Sequence, residues 1–416
     1  MEKSEHISTK RSIKLLALIV LMAILVLSIV FIYISIKPSP NTWDVYPGQS
    51  IQAVLDSAKP RDTVIVHAGV YNQSVVITKS INLIGDGAIL DGTPPADSGT
   101  TLQNDSIIIE QGVSDVTVRN FEIRNYLDNG ITAWNNGTSN IQIINNVIHD
   151  TGIAISVGND GTGFHENWFI SNNTVYKNGI GIYVAHGKNF VISNNIAEES
   201  FWSGIWVGTE IGSTFDTEHI EVINNTVTNS GSGIYVLSSS EEAELKDITI
   251  TNNTVSNCGE DGIVVLKLSE DCKNSRDVFI YDNTVENNGG AGILLEGISY
   301  GEVLENELTN NDLGGIVIVL GSNNIIVRMN SVFQNGIFYE KAGIHIQESS
   351  NNTVVWNTVR DNGIGIVRFS PDSIFETSYN IIAFNVVKDN VEYDLFDDGP
   401  GTGNIWEFNI YDTKNW

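Results

Sequence analysis

Cysteine is nearly absent, 2 in 416 residues, which excludes a disulfide-dense scaffold and a structural four-cysteine zinc site. Positive charge is scarce too. Only 22 Lys and Arg stand against 50 Asp and Glu, a formal net charge of -28 that argues against a nonspecific nucleic-acid surface. Three Met and seven dispersed His form no Met-His array, so no copper site is implied. What is present is apolar: 41% of residues, with 17% charged, enough to bury a large core and to exclude disorder.

One long apolar run exists. Leu15 to Ile36 gives 22 positions without a charge, enough to cross about 30 Å of hydrocarbon as a helix. Lys3, Lys10, Arg11 and Lys14 precede it and Lys37 alone follows closely. That asymmetry predicts a cytoplasmic tail over 1–14, a single-pass cell-membrane anchor over 15–36, a linker over 37–49 and an extracellular domain over 50–416. A cleavable signal peptide is the alternative, but the run is long for one and Ser35 to Pro40 offers no small-x-small cleavage pattern. Beyond residue 40 lie 17 basic and 48 acidic residues, so the exported part carries essentially all the negative charge.

Ser50 to Ala58, SIQAVLDSA, reads as a short amphipathic helix capped by Ser50. The pattern then changes to strands at Thr63 to Val66, Ser74 to Ile77 and Ile81 to Ile84, β-branched runs set between glycine-containing turns. From Asn120 a motif repeats, plainest at Asn172-Asn173-Thr174-Val175, Asn224-Asn225-Thr226-Val227 and Asn252-Asn253-Thr254-Val255. The register recurs at Asn146, Asn195, Asn283, Asn306, Asn330, Asn357, Asn385 and Asn409, with spacings of 22 to 30 residues. Most repeats also hold a Gly-Ile pair, from Gly152-Ile153 and Gly181-Ile182 to Gly343-Ile344. In Gly-Ile-x-Φ, strand alternation turns Ile182 and Val184 inward and Tyr183 outward. Glycine suits the tight bends, and Asn can bridge exposed backbone groups at the recurring turn.

Leucine-rich repeats would need a Leu consensus that is missing, and antiparallel hairpins explain the stack less well. The reading is all-β: a right-handed parallel β-helix with a short N-terminal capping helix, preceded by one transmembrane helix. Each coil covers the open edge of the one before. About 13 layers at about 4.8 Å give a shaft on the order of 60 Å. From Trp43 onward, the segment YPGQSIQAVLDSAKPRDTVIVHAGVY and the later NNTV and GI motifs resemble the right-handed parallel β-helix superfamily of pectate-lyase-like and NosD-like repeat proteins. That resemblance implies the fold, and a range of roles: lyases, hydrolases, epimerases, binding domains and structural repeats.

Alternation places Trp134, Tyr183, Trp206 and Tyr235 outward on related strands, with Ala154 interrupting the series and Val264, Leu294, Val317 and His345 continuing it without rings. Such a stripe suits sugar rings, whose C–H faces lie on aromatics while hydroxyls bond to Asn, Asp or Glu; packing beneath a loop is the alternative. Loops supply Asp160, His186, Lys188, Glu210, Glu270, Glu296 and Arg368. His186, Lys188 and Glu210 are the candidate acid/base group for uronate lyase or epimerase chemistry, against a plain solvated surface. No complete calcium-and-base set of the pectate-lyase kind aligns. No cofactor is implied, although Asp397-Asp398 and Glu270-Asp271 offer hard oxygen ligands compatible with calcium.

Cys258 and Cys272, 14 positions apart in one expanded repeat, are a candidate disulfide outside the cell, or two separate thiols. Sequons begin at Asn72, Asn104, Asn136, Asn172, Asn224, Asn252 and Asn351, the candidate glycosylation sites; Asn172, Asn224 and Asn252 also belong to the repeat. The functional expectation is a membrane-tethered extracellular protein whose partner is a surface polysaccharide or envelope protein, and not nucleic acid. The runner-up is a polysaccharide lyase or uronate C5-epimerase.

Overall fold

The computed structural model describes residues 19–26, 39–94, 103–133, 137–158, 163–336, 342–370 and 376–416. The chain divides into two units, 1–41 and 42–416. In the first, residues 19–26 are helical and exposed. The rest of the Leu15 to Ile36 run lies outside the described residues, and among those described no helix is long and apolar enough to cross a membrane.

The second unit opens with strand Thr42–Val45 and helix Ile51–Ser57. Ser50 caps the helix as its side chain accepts the Ala53 N–H at 3.1 Å. Ile51 and Leu55 are buried, and Gln52 both accepts from the Val76 N–H, at 2.7 Å, and donates to the Val76 carbonyl, at 3.2 Å. The helix thus pairs with an early strand and covers its side of the first coils. Of those early strands, Thr63–Tyr71 and Asn82–Asp91 run longer than the β-branched stretches alone, carried through Gly69, Gly85 and Gly87, whereas Val75–Ile77 is one residue shorter than Ser74 to Ile77.

One coil shows the plan. Strand Gly187–Ser193 leads through a two-residue bend, Asn194-Asn195, to the short strand Ile196–Glu198, then to Ser203–Gly208. Residues 209–216 return the chain to Thr217–Ile223, which pairs in parallel with Gly187–Ser193 one coil back. Among the described residues this winding builds two parallel sheets, of 26 and 13 strands, the first holding both the long and the short strands of each coil. Alternation in the 13-stranded sheet sends Ile182, Ile205, Ile234, Ile263, Ile293 and Ile316 inward, each fully buried and stacked on the next. The glycine before each of these isoleucines is forced by packing: a Cβ at Gly233 would run into Val255 Cγ1 and the Gly262 carbonyl.

The two-residue bend is the constant of the fold. Its first residue is left-handed, with φ from 52° to 57° at every position from Asn145 to Phe408, and its second is the ladder asparagine. Asn173 Oδ1 takes both the backbone N–H and the side-chain amide of Asn146, at 3.0 and 3.1 Å, and the same pairing repeats coil by coil to Asn409. A second ladder runs through Asn288, Asn311, Asn335, Asn362 and Asn390. The asparagines therefore satisfy buried backbone groups, where exposed ones were expected. Coil length varies instead on either side of the 13-stranded sheet, and among the fully described exits it runs from the single residues His186 and Gly297 to residues 209–216.

The register corrects one alignment. Ile153 pairs with Ile180 and Ile155 with Ile182, so Ser156, and not Ala154, stacks on Tyr183. The Gly152-Ile153 pair belongs to the corner, and the inward isoleucine of that coil is Ile155. At the far end Arg368 occupies an inward position opposite Ile346, buried, where its guanidinium pairs with Asp397 and donates to the Gly399 and Pro400 carbonyls at 3.0 Å each. This ion pair closes the carboxyl end of the core; Arg368 is thus a strand residue, not a loop one.

Candidate binding face on the thirteen-stranded sheet

The outward column of this sheet reads Thr132, Ser156, Tyr183, Trp206, Tyr235, Val264, Leu294, Val317, His345, Val367 and Phe396. Thr132 and Ser156 are the residues that precede Tyr183; Trp134 lies outside the described residues. Three consecutive rings follow. Tyr183 and Trp206 have centroids 5.9 Å apart at 52°, and Trp206 and Tyr235 4.7 Å apart at 59°. Gly208 makes room for the indole, since a Cβ there would stand 3.2 Å from Trp206 Nε1.

Tyr183 does face outward, but it is 4% exposed, so it is not an open contact. Its hydroxyl donates to Glu210, which residues 209–216 bring over it, and burial and that carboxylate raise its pKa. Trp206 and Tyr235 are half-buried and keep accessible ring surface. The Tyr235 phenol is raised by burial first, then by Glu260, Asp261 and Glu296. Burial likewise raises Asp261, against the Ala291 N–H that donates to it at 2.7 Å, and Glu296, against Lys267. Two carboxyl groups, each raised by its own burial, thus stand beside one tyrosine, a composition able to hydrogen-bond the hydroxyls of a bound ligand. Glu296 also lines a cavity of about 160 Å³ with Lys267, Ser269, Glu270 and Leu320.

The triad of His186, Lys188 and Glu210 does not assemble. His186 is buried at a left-handed corner, with Ser213 Oγ at 2.7 Å from its Nδ1 and its N–H given to Thr217. Lys188, on the other sheet, pairs with Glu166 at 3.0 Å, and Glu210 serves Tyr183. Adjacent numbering misled because one residue of left-handed backbone separates two sheets. Asp160 lies outside the described residues.

Cys258 and Cys272 are free, buried thiols, not a disulfide. Cys258 sits in an inter-strand corner, where its N–H donates to Asn288, whereas Cys272 sits in the loop on the far side of strand Ile263–Lys267, 3.3 Å from Ser269 Oγ. Among the described residues no three His, Cys, Asp or Glu converge on a metal position; Asp397 is taken by Arg368. Of the sequon asparagines, Asn72, Asn104, Asn172, Asn224, Asn252 and Asn351 are exposed, and Asn136 lies outside the described residues. The exposed member of each Asn pair is the first, so the sequons and the ladder use different residues.

Sequence reasoning passed over Glu260 and Asp261, although both stand immediately before a Gly-Ile pair. It also missed Phe201 and Trp202, 74% and 63% exposed and edge-to-face at 5.0 Å. Trp202 lines a shallow cavity of about 400 Å³ with Asp128, Asn129, Ile153 and Ile180. The signal available was an aromatic doublet directly ahead of Ser203-Gly204-Ile205.

No match is found among curated proteins. Similar solved structures include the A-module of the mannuronan C-5 epimerase AlgE4 of Azotobacter vinelandii, at 16% identity and a TM-score of 0.56 over 77% of this chain and 93% of that one. They also include the AlgE6 A-module of the same organism, at 16% identity and 0.51 over 87% and 94%. A hyperthermoactive exopolygalacturonase of Thermotoga maritima aligns at 10% identity and 0.50 over 80% and 91%. These likenesses establish the shared fold. A family model described as the right handed beta helix region matches residues 105–272 and 213–395, most of the chain, and the protein belongs to that right-handed β-helix family.

Proposed function

We propose that the outward face of the 13-stranded sheet binds an extended polysaccharide, and that Leu15 to Ile36 tethers the chain to the cell membrane with the β-helix outside. The carrying observation is the Trp206–Tyr235 ring pair, in register on adjacent strands and bordered by Glu260, Asp261 and Glu296. Half-buried rings offer apolar surface to sugar C–H faces, and the carboxyl groups bond to hydroxyls. A solenoid repeats this geometry along a line, as a polymer repeats its sugars. The fold is shared with structures named as a mannuronan C-5 epimerase and an exopolygalacturonase, which supports a polysaccharide as the ligand class.

A glycan array read with wild type and Trp206→Ala tests the reading. Loss of at least tenfold in retention with unchanged unfolding is expected; equal retention removes Trp206 as a contact. A second reading, a lyase or C5-epimerase, is favoured by the gathering of the Tyr235 phenol with the Glu260, Asp261 and Glu296 carboxyl groups on one outward face, ionisable groups of the kind that acid/base chemistry uses. Uronate polymers incubated with the protein should then show chain scission, unsaturated ends or C5 hydrogen exchange, and absence of all three counts against it.

A further inference from the structure

Four coils beyond Tyr235, the same sheet face carries a separate cavity of about 460 Å³, within the range of small-ligand sites. Strand Ala342–Gln347 supplies His345 and Gln347, strand Ile364–Phe369 supplies Val367 and Phe369, and Leu395–Asp398 supplies Phe396 and Asp398. Glu392 and Tyr393 close it from the preceding turn, with Tyr393 and Phe396 rings 5.7 Å apart at 50°. The outward column passes through it at His345, Val367 and Phe396, but its other aromatics, Phe369 and Tyr393, stand outside that column.

The wall chemistry is one-sided. Phe369, Tyr393 and Phe396 are apolar faces; Glu392 and Asp398 are acceptors; and among the described residues no Lys or Arg lines the cavity. Arg368 lies on the same strand as Val367 and Phe369 but points inward to Asp397. His345 adds no positive charge at neutral pH, because burial lowers its pKa to about 4. Its Nε2 is buried without a hydrogen-bond partner among the described residues, which leaves a polar atom of the wall unmet. A carboxylate ligand would meet two carboxylates with no cation to offset them. A purely apolar one would strip water from the same acidic groups without replacing their hydrogen bonds.

We infer that the His345–Phe396 cavity is a second, self-contained carbohydrate site that takes a sugar unit without negative charge, its C–H face on Phe369 and Phe396 and its hydroxyls on Glu392 and Asp398. The site stands on its own lining and does not require the Trp206–Tyr235 face to bind anything.

Saturation-transfer NMR on the full chain in detergent tests this with glucose, galactose and mannose, their 2-amino forms, and glucuronate and galacturonate as probes. At least one neutral hexose should receive saturation, its amino form at least as much, and the uronates none. Phe396→Ala should weaken the signal at least tenfold, His345→Gln should weaken it while far-UV circular dichroism stays unchanged, and Trp206→Ala should leave it intact. A uronate bound as well as its neutral counterpart overturns the inference, as does a panel in which no hexose binds. Binding that survives Phe396→Ala but disappears in Trp206→Ala also overturns it, and leaves the ring pair as the glycan site.

Discussion

Asn225 Oδ1 accepts two hydrogen bonds from Asn195, the backbone N–H at 2.9 Å and the side-chain amide at 3.0 Å, while its own amide donates to Ile192 and Asn253. One short side chain thus serves three coils. Asn225→Ala strands buried donors and acceptors on both sides, each costing about 1 to 3 kcal/mol, so a total loss of about 3 to 5 kcal/mol is expected. Asn224→Gly, at the exposed left-handed position beside it, should cost under about 0.5 kcal/mol. Urea unfolding of the two variants decides: equal midpoints would deny the ladder its structural role.

Arg368 closes the core by pairing with Asp397 and two carbonyls. Arg368→Ala leaves that carboxylate without its partner at the end of an apolar stack and should cost about 2 to 4 kcal/mol. Arg368→Met together with Asp397→Leu should recover most of the loss. If the double variant is as unstable as the single one, lost packing and not the unpaired charge explains the effect.

Acid should weaken the fold in two steps. Burial holds the His345 imidazole down to about 4, below its ordinary value of 6.5, so its contribution is fully present above pH 6.5 and is lost as pH falls toward 4. Charging the buried imidazole therefore costs the fold on the order of 3 kcal/mol. Asp91 behaves at lower pH: burial alone would raise it, but hydrogen bonds from Thr93, Arg124 and Asn125 bring it down to about 2. Its stabilisation is present above 3.8 and disappears as pH falls toward 2. Stability measured against pH should flatten between 6.5 and 4 in His345→Gln; an unaltered slope would reject the assignment.

Burial pushes the Cys258 thiol up to about 11, and Cys272 is buried as well. Iodoacetamide at neutral pH should therefore label neither until the chain is unfolded, and then both. Reductant should leave the melting temperature and the non-reducing gel mobility unchanged. A mobility shift on reduction would restore the disulfide.

The winding and the inward isoleucines were legible because strand alternation has a period of two and each repeat places the same residue types at the same offsets. The alignment at Gly152-Ile153 failed because that pair imitates the motif two residues early, whereas pairing is set by the two-residue bend, and Ala154 is small enough to take the place of a glycine beside Ile155. Tyr183 was read correctly as outward but not as covered, since the path of residues 209–216 carries no periodic signal. The His186 group dissolved for a related reason: a single left-handed residue turns the chain from one sheet to the other, so neighbours in sequence diverge in space. The carboxyl and aromatic groups of both candidate sites gather at these aperiodic corners, as at Glu260-Asp261 and Glu392-Tyr393.

Because the Asn bends hold one length while the fully described exits from the 13-stranded sheet range from one residue to the stretch 209–216, the scaffold is separable from the segments that border its outer face. Segments 209–216 and 268–274 could be exchanged for foreign ones and the border of that face redrawn, with the underlying helix of strands left to wind as before.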